Sequence, residues 1–372
     1  MSHASSYAGA GKRRAPKRRS WVRRHWIVAI VTMALLVPTA GGAAYALMLN
    51  GKIGNVDRVS VTGGLSEDER PDPAPGQALN ILLLGADADS STDGDNQGRA
   101  SITADLKKAE WPSGKYRSDT MMVMHVSADR KDVQLVSVPR DSLIDIYDAD
   151  GEERGQDKAN AAFSYYGPGG AISTVENLTN LRIDHLAMID WNGFMELSTA
   201  LGGVRVYIPE TTYDSSQELT WKKGWTNLQG KRALTYVRTR HGLANGDFDR
   251  IARQQNFIRA LMKKMLSQDT LTNPSRLNAA LGAVTSNLTV DADFTNGDIR
   301  GLAFAMRSLR SDDVTFLTTP TAGFGTADNG ASIVNIDDIK ADELFTALKD
   351  DDLASYLADY PDEGLKSDRE VS

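Results

Sequence analysis

Along this chain, apolar positions gather into short runs set between charged and glycine-rich stretches, with one long run near the start. Residues 26–49 contain no Asp, Glu, Lys or Arg. Such a stretch is long enough to cross the hydrocarbon core of a bilayer as a helix. Beyond it, Val56-Asp57-Arg58-Val59-Ser60-Val61 reads as a strand. Residues 67–76 carry three prolines and several charges and read as a linker. Leu79-Asn80-Ile81-Leu82-Leu83-Leu84-Gly85 is a short apolar run of the buried-strand type.

Strand patterns resume over 120–126 and 133–138. A helix over 171–181, a strand over 185–189 and a helix over 192–200 follow, the last stopped by Gly202-Gly203. Residues 204–208 alternate as a strand, and 234–240 pass from a helical pattern into an arginine-bearing segment. The clearest helix covers 249–266, where Ile251, Ile258, Met262 and Met265 recur at helical spacing. Helices over 277–285, 296–309 and 339–348 and a strand over 314–318 complete the pattern. Residues 88–116, rich in Asp, Ser, Gly and Lys, read as a surface insertion with a short helix near 102–109. Strands alternating with helices predict an α/β fold, a three-layer α-β-α sandwich around a mixed central sheet.

Charge adds topology. Residues 1–25 carry eight basic and no acidic residues. Cytoplasmic flanks are rich in Lys and Arg, so this tail is expected inside and everything after residue 49 outside. A cleaved signal peptide is the alternative, with Ala44-Tyr45-Ala46 as a small-x-small site. The apolar run exceeds the usual signal core of about 7–15 residues, which favours a retained anchor. Removing the eight tail cations from 42 leaves 34 against 49 acids, a formal charge of −15 for the remainder. No nucleic-acid partner is expected of so acidic a body. The chain has no cysteine, which excludes disulfides, thiolate metal sites and cysteine nucleophiles.

Four segments carry candidate chemistry. Asp87 lies just past the buried strand at 79–85. Arg117 and Asp119 precede the strand at 120–126, and Arg140 and Asp141 follow the one at 133–138. The fourth segment holds Arg238, Arg240, Arg250, Arg253, Gln254 and Gln255. Ligands gather where strands of an α/β sheet end. Arg238 and Arg240 are two apart, which puts them on one side of an extended backbone. Arg250 and Gln254 are four apart, which stacks them on one helix face, in turns whose free N–H groups favour anions. Planar guanidinium groups bind phosphate oxygens at two points. Two acids beside such a cluster are most simply explained by Mg²⁺. Blander pairings exist: Arg117 with Asp119, Arg140 with Asp141, and Asp247 and Asp249 with Arg250 and Arg253. His185 reads as structural, and Tyr165-Tyr166-Gly167-Pro168-Gly169-Gly170 reads as a turn.

Taken in order, these pieces resemble the LytR–CpsA–Psr family of bacterial cell-wall enzymes, of the actinobacterial type. The resemblance runs from the 79–87 segment through Arg117-Ser118-Asp119-Thr120, Ser137-Val138-Pro139-Arg140-Asp141 and Lys158-Ala159-Asn160-Ala161-Ala162. It continues through Asp184-His185, Leu201-Gly202-Gly203-Val204 and Leu228-Gln229-Gly230. It ends in Tyr236-Val237-Arg238-Thr239-Arg240 and Asp247-Phe248-Asp249-Arg250 with Arg253-Gln254-Gln255. Asp249 departs from it, standing where the family often has a small residue.

The resemblance implies a membrane-anchored phosphotransferase that moves an anionic glycopolymer, such as wall teichoic acid, from undecaprenyl pyrophosphate to a peptidoglycan sugar hydroxyl. It implies Asp87 and Asp119 as ligands of Mg²⁺ or Mn²⁺. It implies Arg117, Arg140, Arg238, Arg240, Arg250 and Gln254 as the pyrophosphate clamp, and Asp87, Asp119, Arg140, Arg238 and Arg240 as catalytic. An apolar pocket for the lipid is implied without its lining. The implied layout is a cytoplasmic tail at 1–25, a single membrane pass at 26–49, a stalk at 50–78, an extracellular domain at 79–360 with its motifs in 79–268, and a frayed tail at 361–372. A polyprenyl-pyrophosphate hydrolase would need the same clamp. A non-catalytic binder of polyprenyl phosphate or wall polymer would gain nothing from the two acids, and a transcription regulator conflicts with the external placement.

Overall fold

Seven strands form the central sheet of the computed structural model, which describes residues 51, 54, 56–61, 67–88, 102, 104–108, 110–239, 242–243, 247–271, 273–367 and 369–370. The basic tail and the apolar run at 26–49 lie outside the described residues. Among those described, no helix is long and apolar enough to cross a membrane.

The elements follow in chain order as strands β1 (Asp57–Val59), β2 (Leu79–Ala88), β3 (Tyr116–Val126), β4 (Val133–Val138), β5 (Leu143–Tyr147) and β6 (Glu153–Lys158), then helix α1 (Ala159–Thr179), β7 (His185–Asp190) and α2 (Trp191–Ala200). Next come β8 (Val204–Ile208), β9 (Thr212–Asp214), β10 (Leu219–Trp221), β11 (Gly224–Leu228), α3 (Gly230–Arg238), α4 (Asp247–Met265), α5 (Gln268–Leu271) and α6 (Pro274–Asn287). The chain continues with β12 (Leu288–Asp291), α7 (Asn296–Ala305), β13 (Val314–Thr318), β14 (Thr321–Thr326), β15 (Ser332–Ile336), α8 (Asp338–Lys349) and α9 (Leu353–Asp359).

The sheet order is β1-β12-β7-β2-β3-β4-β13. It is mixed: β2 runs antiparallel to β3 and parallel to β7, while β4 runs parallel to β13. The two faces of β2 and β3 follow from side-chain alternation. Leu82, Leu84, Met121 and Val123 bury into a core completed by Phe163 and Val175 of α1, Leu344 and Leu348 of α8 and Leu353 of α9. Met122 packs on the other face with Leu83, Met124, and Ile258 and Met262 of α4. The result is the three-layer sandwich that the sequence pattern predicts.

Several expectations need correction. The turn expected at 165–170 lies inside α1, which begins at Ala159 and kinks at Gly167, where φ is 69°. Glycine is required there twice over, because an added Cβ would sit 2.9 Å from the Trp111 ring. The C-terminal tail is tied down further than expected: the Leu365 N–H donates to the Phe316 carbonyl at 2.8 Å, and Gly364 bridges to Leu317 of β13. The strand expected over 56–61 is present as β1, which pairs with β12 at the outer edge of the sheet. His185 stacks on Phe294 at 4.0 Å and contacts Asp291, a structural role as expected.

Candidate active site

The strand directions bring the C-terminal ends of β2, β4, β7 and β13 and the start of β3 to one edge of the sheet. Asp87, Arg117, Asp119 and Arg140 therefore share that edge, as the sequence predicts. A β-bulge shapes it. Gly85 pairs with Thr120 and Ala86 with Ser118, so Asp119 is the extra residue of β3. A bulge re-aims the side chain that it inserts. Gly85 allows the close approach, since a Cβ there would lie 3.0 Å from the Thr120 Cβ.

Asp119 forms an ion pair with Arg140. The Arg140 Nε lies 3.4 Å from Asp141, and Lys158 donates to Asp141 at 3.0 Å. Acids and bases thus alternate from β3 across the β4 end to the residue before α1. Burial alone would raise the Asp141 carboxyl, but Arg140, Lys158 and Arg250 together hold it below the usual carboxylate range. Arg250, buried in the first turn of α4, thus adds to the positive field at Asp141. Asp141 and Lys158 lie in segments that the sequence singles out, but nothing in the sequence assigns either a role in the site.

The fourth segment folds differently from its expected extended form. Arg238 is the last residue of α3, and Thr239 ends the helix with φ −57° and ψ 128°. Arg238 is thus helical where an extended backbone was expected, and Arg240 lies outside the described residues. The local reason is the amphipathic run Ala233-Leu234-Thr235-Tyr236-Val237, whose Ala233, Tyr236 and Val237 bury at helical spacing. Gln254 joins the pieces: its amide donates to the Val237 carbonyl at 3.3 Å, and its oxygen lies 3.5 Å from the Thr120 hydroxyl. Gln255 instead reaches Ser137, Leu317 and Thr318.

Arg253 departs from the expected four-arginine cluster. It is fully buried, with its guanidinium 5.2 Å from the Tyr236 ring centre. Burial lowers its pKa, countered by Tyr236, Asp249, Glu210 and Asp214. It therefore fastens α4 to α3 rather than facing solvent. The Asp87 side chain lies outside the described atoms, although its backbone pairs with Arg117. Among the described residues no group of three or more His, Asp or Glu could hold a metal. Asp119 offers the hard oxygen that Mg²⁺ takes, and Mg²⁺ needs only one or two carboxylates when phosphate supplies the rest.

Beneath this polar edge lies an apolar cavity of about 240 Å³. Gly85, Thr120 and Gln254 form part of its wall, with Met122, Ala187 and Leu261 among its apolar lining. These residues look like ordinary core in the sequence. What marks them is space left between the sheet and helices α2, α3 and α4.

The fold and the site define a three-layer α/β protein with a charged sheet edge above an apolar cavity. Residues 54–350 match the model of the LytR_cpsA_psr family, and the chain belongs to that family. It is 31% identical over 338 residues to the cell wall biosynthesis protein LcpA of Corynebacterium glutamicum, covering 84% of this chain and 62% of that protein. It is 35% identical over 192 residues to the polyisoprenyl-teichoic acid–peptidoglycan teichoic acid transferase TagU of Enterococcus faecalis, covering 52% of this chain and 60% of that protein. The chain thus spans about three-fifths of the length of these curated relatives. The crystal structure of B. subtilis TagV has the same fold, with a TM-score of 0.56 over 74% of this chain and 98% of that one, at 23% identity.

Proposed function

We propose that the protein is a membrane-anchored, extracellular phosphotransferase. It moves an anionic glycopolymer from undecaprenyl pyrophosphate onto a peptidoglycan sugar hydroxyl and releases polyprenyl phosphate. The observation that carries this reading is the continuity of the cavity with the polar edge. Thr120 and Gln254 belong to both, as an amphiphile with an anionic head and an apolar tail requires. At about 240 Å³, the cavity suits the first isoprene units next to the head rather than a whole polyprenyl chain. The names of LcpA and TagU support the cell-wall setting.

In this reading Arg140, Arg238, Arg240 and Arg250 hold the pyrophosphate oxygens, with Arg117 at the start of β3 and Gln254 at the cavity mouth. Asp119 and Asp87 would hold Mg²⁺, which supplies charge neutralisation of the phosphate oxygens when bound. The sugar oxygen bonds to phosphorus, its proton passing to solvent. The bond to the bridging oxygen breaks, and the electron pair leaves on polyprenyl phosphate. Such a transfer depends on positioning and charge neutralisation more than on covalent help from the protein. The apolar run at 26–49 would keep the site beside a lipid that does not enter bulk water.

The test is to purify the full-length protein and examine its lipid extract by mass spectrometry. Polyprenyl phosphate or pyrophosphate should be retained, and lost when Met122 and Leu261 are replaced by charged residues. Extracts free of polyprenyl lipid, from protein that also fails to take up added farnesyl pyrophosphate, would contradict the proposal.

A further inference from the structure

A second concave feature adjoins the clamp. A groove of about 310 Å³ runs between the first turns of α4, the link from β13 to β14, and the C-terminal segment around Glu363. Its wall is fixed to the clamp through β4. Thr319 donates from both its N–H and its hydroxyl to the Ser137 carbonyl, three residues before Arg140. Val334 of β15 donates its N–H to the Asp141 carbonyl. On the opposite wall Phe248 stands two residues before Arg250.

At the rim, Phe324 packs on Phe248 with ring centres 4.7 Å apart and still exposes 56% of its surface. It lies between Gly323 and Gly325 in β14. A large exposed aromatic beside a polar groove gives little to the core. Its ring face does suit the C–H face of a pyranose, which is apolar while its edges carry hydroxyls. The groove supplies partners for those edges in the hydroxyl of Thr321 and the carboxylates of Asp362 and Glu363.

Charge selects which sugar polymer enters. Asp249, Asp362, Glu363 and Glu370 line the groove, with Lys366 as its cation. Such a surface repels a polyanionic chain and tolerates a neutral one. We propose that the groove, with Phe324 and Phe248 as its stacking platform, binds the neutral N-acetylhexosamine glycan of the acceptor and presents its hydroxyl to the clamp. This rests on the transferase reading above and adds to it where the acceptor lies. Asp249 then has a place in the wall of the acceptor groove.

The experiment titrates full-length protein in detergent with chitotetraose, a neutral β-1,4-linked N-acetylglucosamine oligomer, and separately with inorganic pyrophosphate. Phe324→Ala should weaken chitotetraose binding about tenfold, and Phe324→Trp should keep it, since the ring face is retained. Phe324→Leu keeps the apolar bulk without the ring face and should behave like the alanine variant. Pyrophosphate binding should be the same in all four proteins. A wild-type protein that does not bind chitotetraose, or a Phe324→Ala variant that binds it like wild type, overturns the proposal. Failure of wild type to bind pyrophosphate would instead count against the donor site, and the glycan titration would still judge the platform.

Discussion

Asp119 and Arg140, 21 positions apart, meet as an ion pair because a bulge in β3 inserts the acid beside the end of β4. The proposed roles of the two residues compete with this contact. An acid that holds a metal and an arginine that holds pyrophosphate must both give up each other. In that reading the pair would couple the two ligands, since a metal on Asp119 would free Arg140.

Asp119→Ala should break that coupling. Without metal, the variant should bind inorganic pyrophosphate more tightly than wild type. The gain should be roughly fivefold, from about 1 kcal/mol for a partly exposed pair. Mg²⁺ should strengthen pyrophosphate binding to wild type and do less for the variant, while transfer is lost. Calorimetric titration with and without EDTA reads both effects. Equal metal-free affinity in the two proteins would mean that the ion pair does not gate the arginine.

Asp141 predicts an acid limit. Its pKa is depressed in the folded state, so its contribution to stability is present above the unfolded carboxylate value near 3.9 and lost as pH falls through the folded one. Thermal melting of wild type and Asp141→Asn should differ most near pH 7. The gap should hold to about pH 5 and close below about pH 4. A gap that stays constant down to pH 3 would show that the charge of Asp141 is not what stabilises the edge.

The cavity yields a prediction that separates tail from head. Ala187→Leu places extra carbon in a wall of the cavity. Binding of farnesyl pyrophosphate should weaken about tenfold, and binding of inorganic pyrophosphate should stay unchanged. Filling an existing space usually leaves stability equal or higher, by about 0.5–2 kcal/mol. Unchanged farnesyl pyrophosphate affinity in a folded variant would show that the tail lies elsewhere.

Strands were legible where both faces are buried. Val133–Val138 and Val314–Thr318 stand where their apolar runs place them, because continuous burial leaves a continuous signature. The start of α1 was not legible, because Gly167 and Pro168 are breakers in isolation and become a tolerated kink only when Trp111 packs on them. The edge that gathers Asp119 and Arg140 could be inferred from strand ends. The bulge could not, since it depends on register between two strands. Arg238 was misplaced because spacing alone does not distinguish a helix end from an extended segment. The cavity lining and the Phe324 rim were invisible for a common reason: a gap between layers and an exposed ring are properties of packing, not of pattern.

The central claim is a transfer through planar two-point contacts to pyrophosphate. It is tested most directly with full-length protein, a labelled polyprenyl-pyrophosphoryl glycopolymer and peptidoglycan, with Arg140→Lys, Arg238→Lys and Arg240→Lys beside wild type. Lysine keeps the charge and replaces a fork with a point. Wild type should move the label onto peptidoglycan with release of polyprenyl phosphate. Each variant should melt like wild type and lose about 1.5–3 kcal/mol of transition-state binding, or about 10–150-fold in rate. Label released to water alone, or three stable lysine variants that transfer at the wild-type rate, would contradict it.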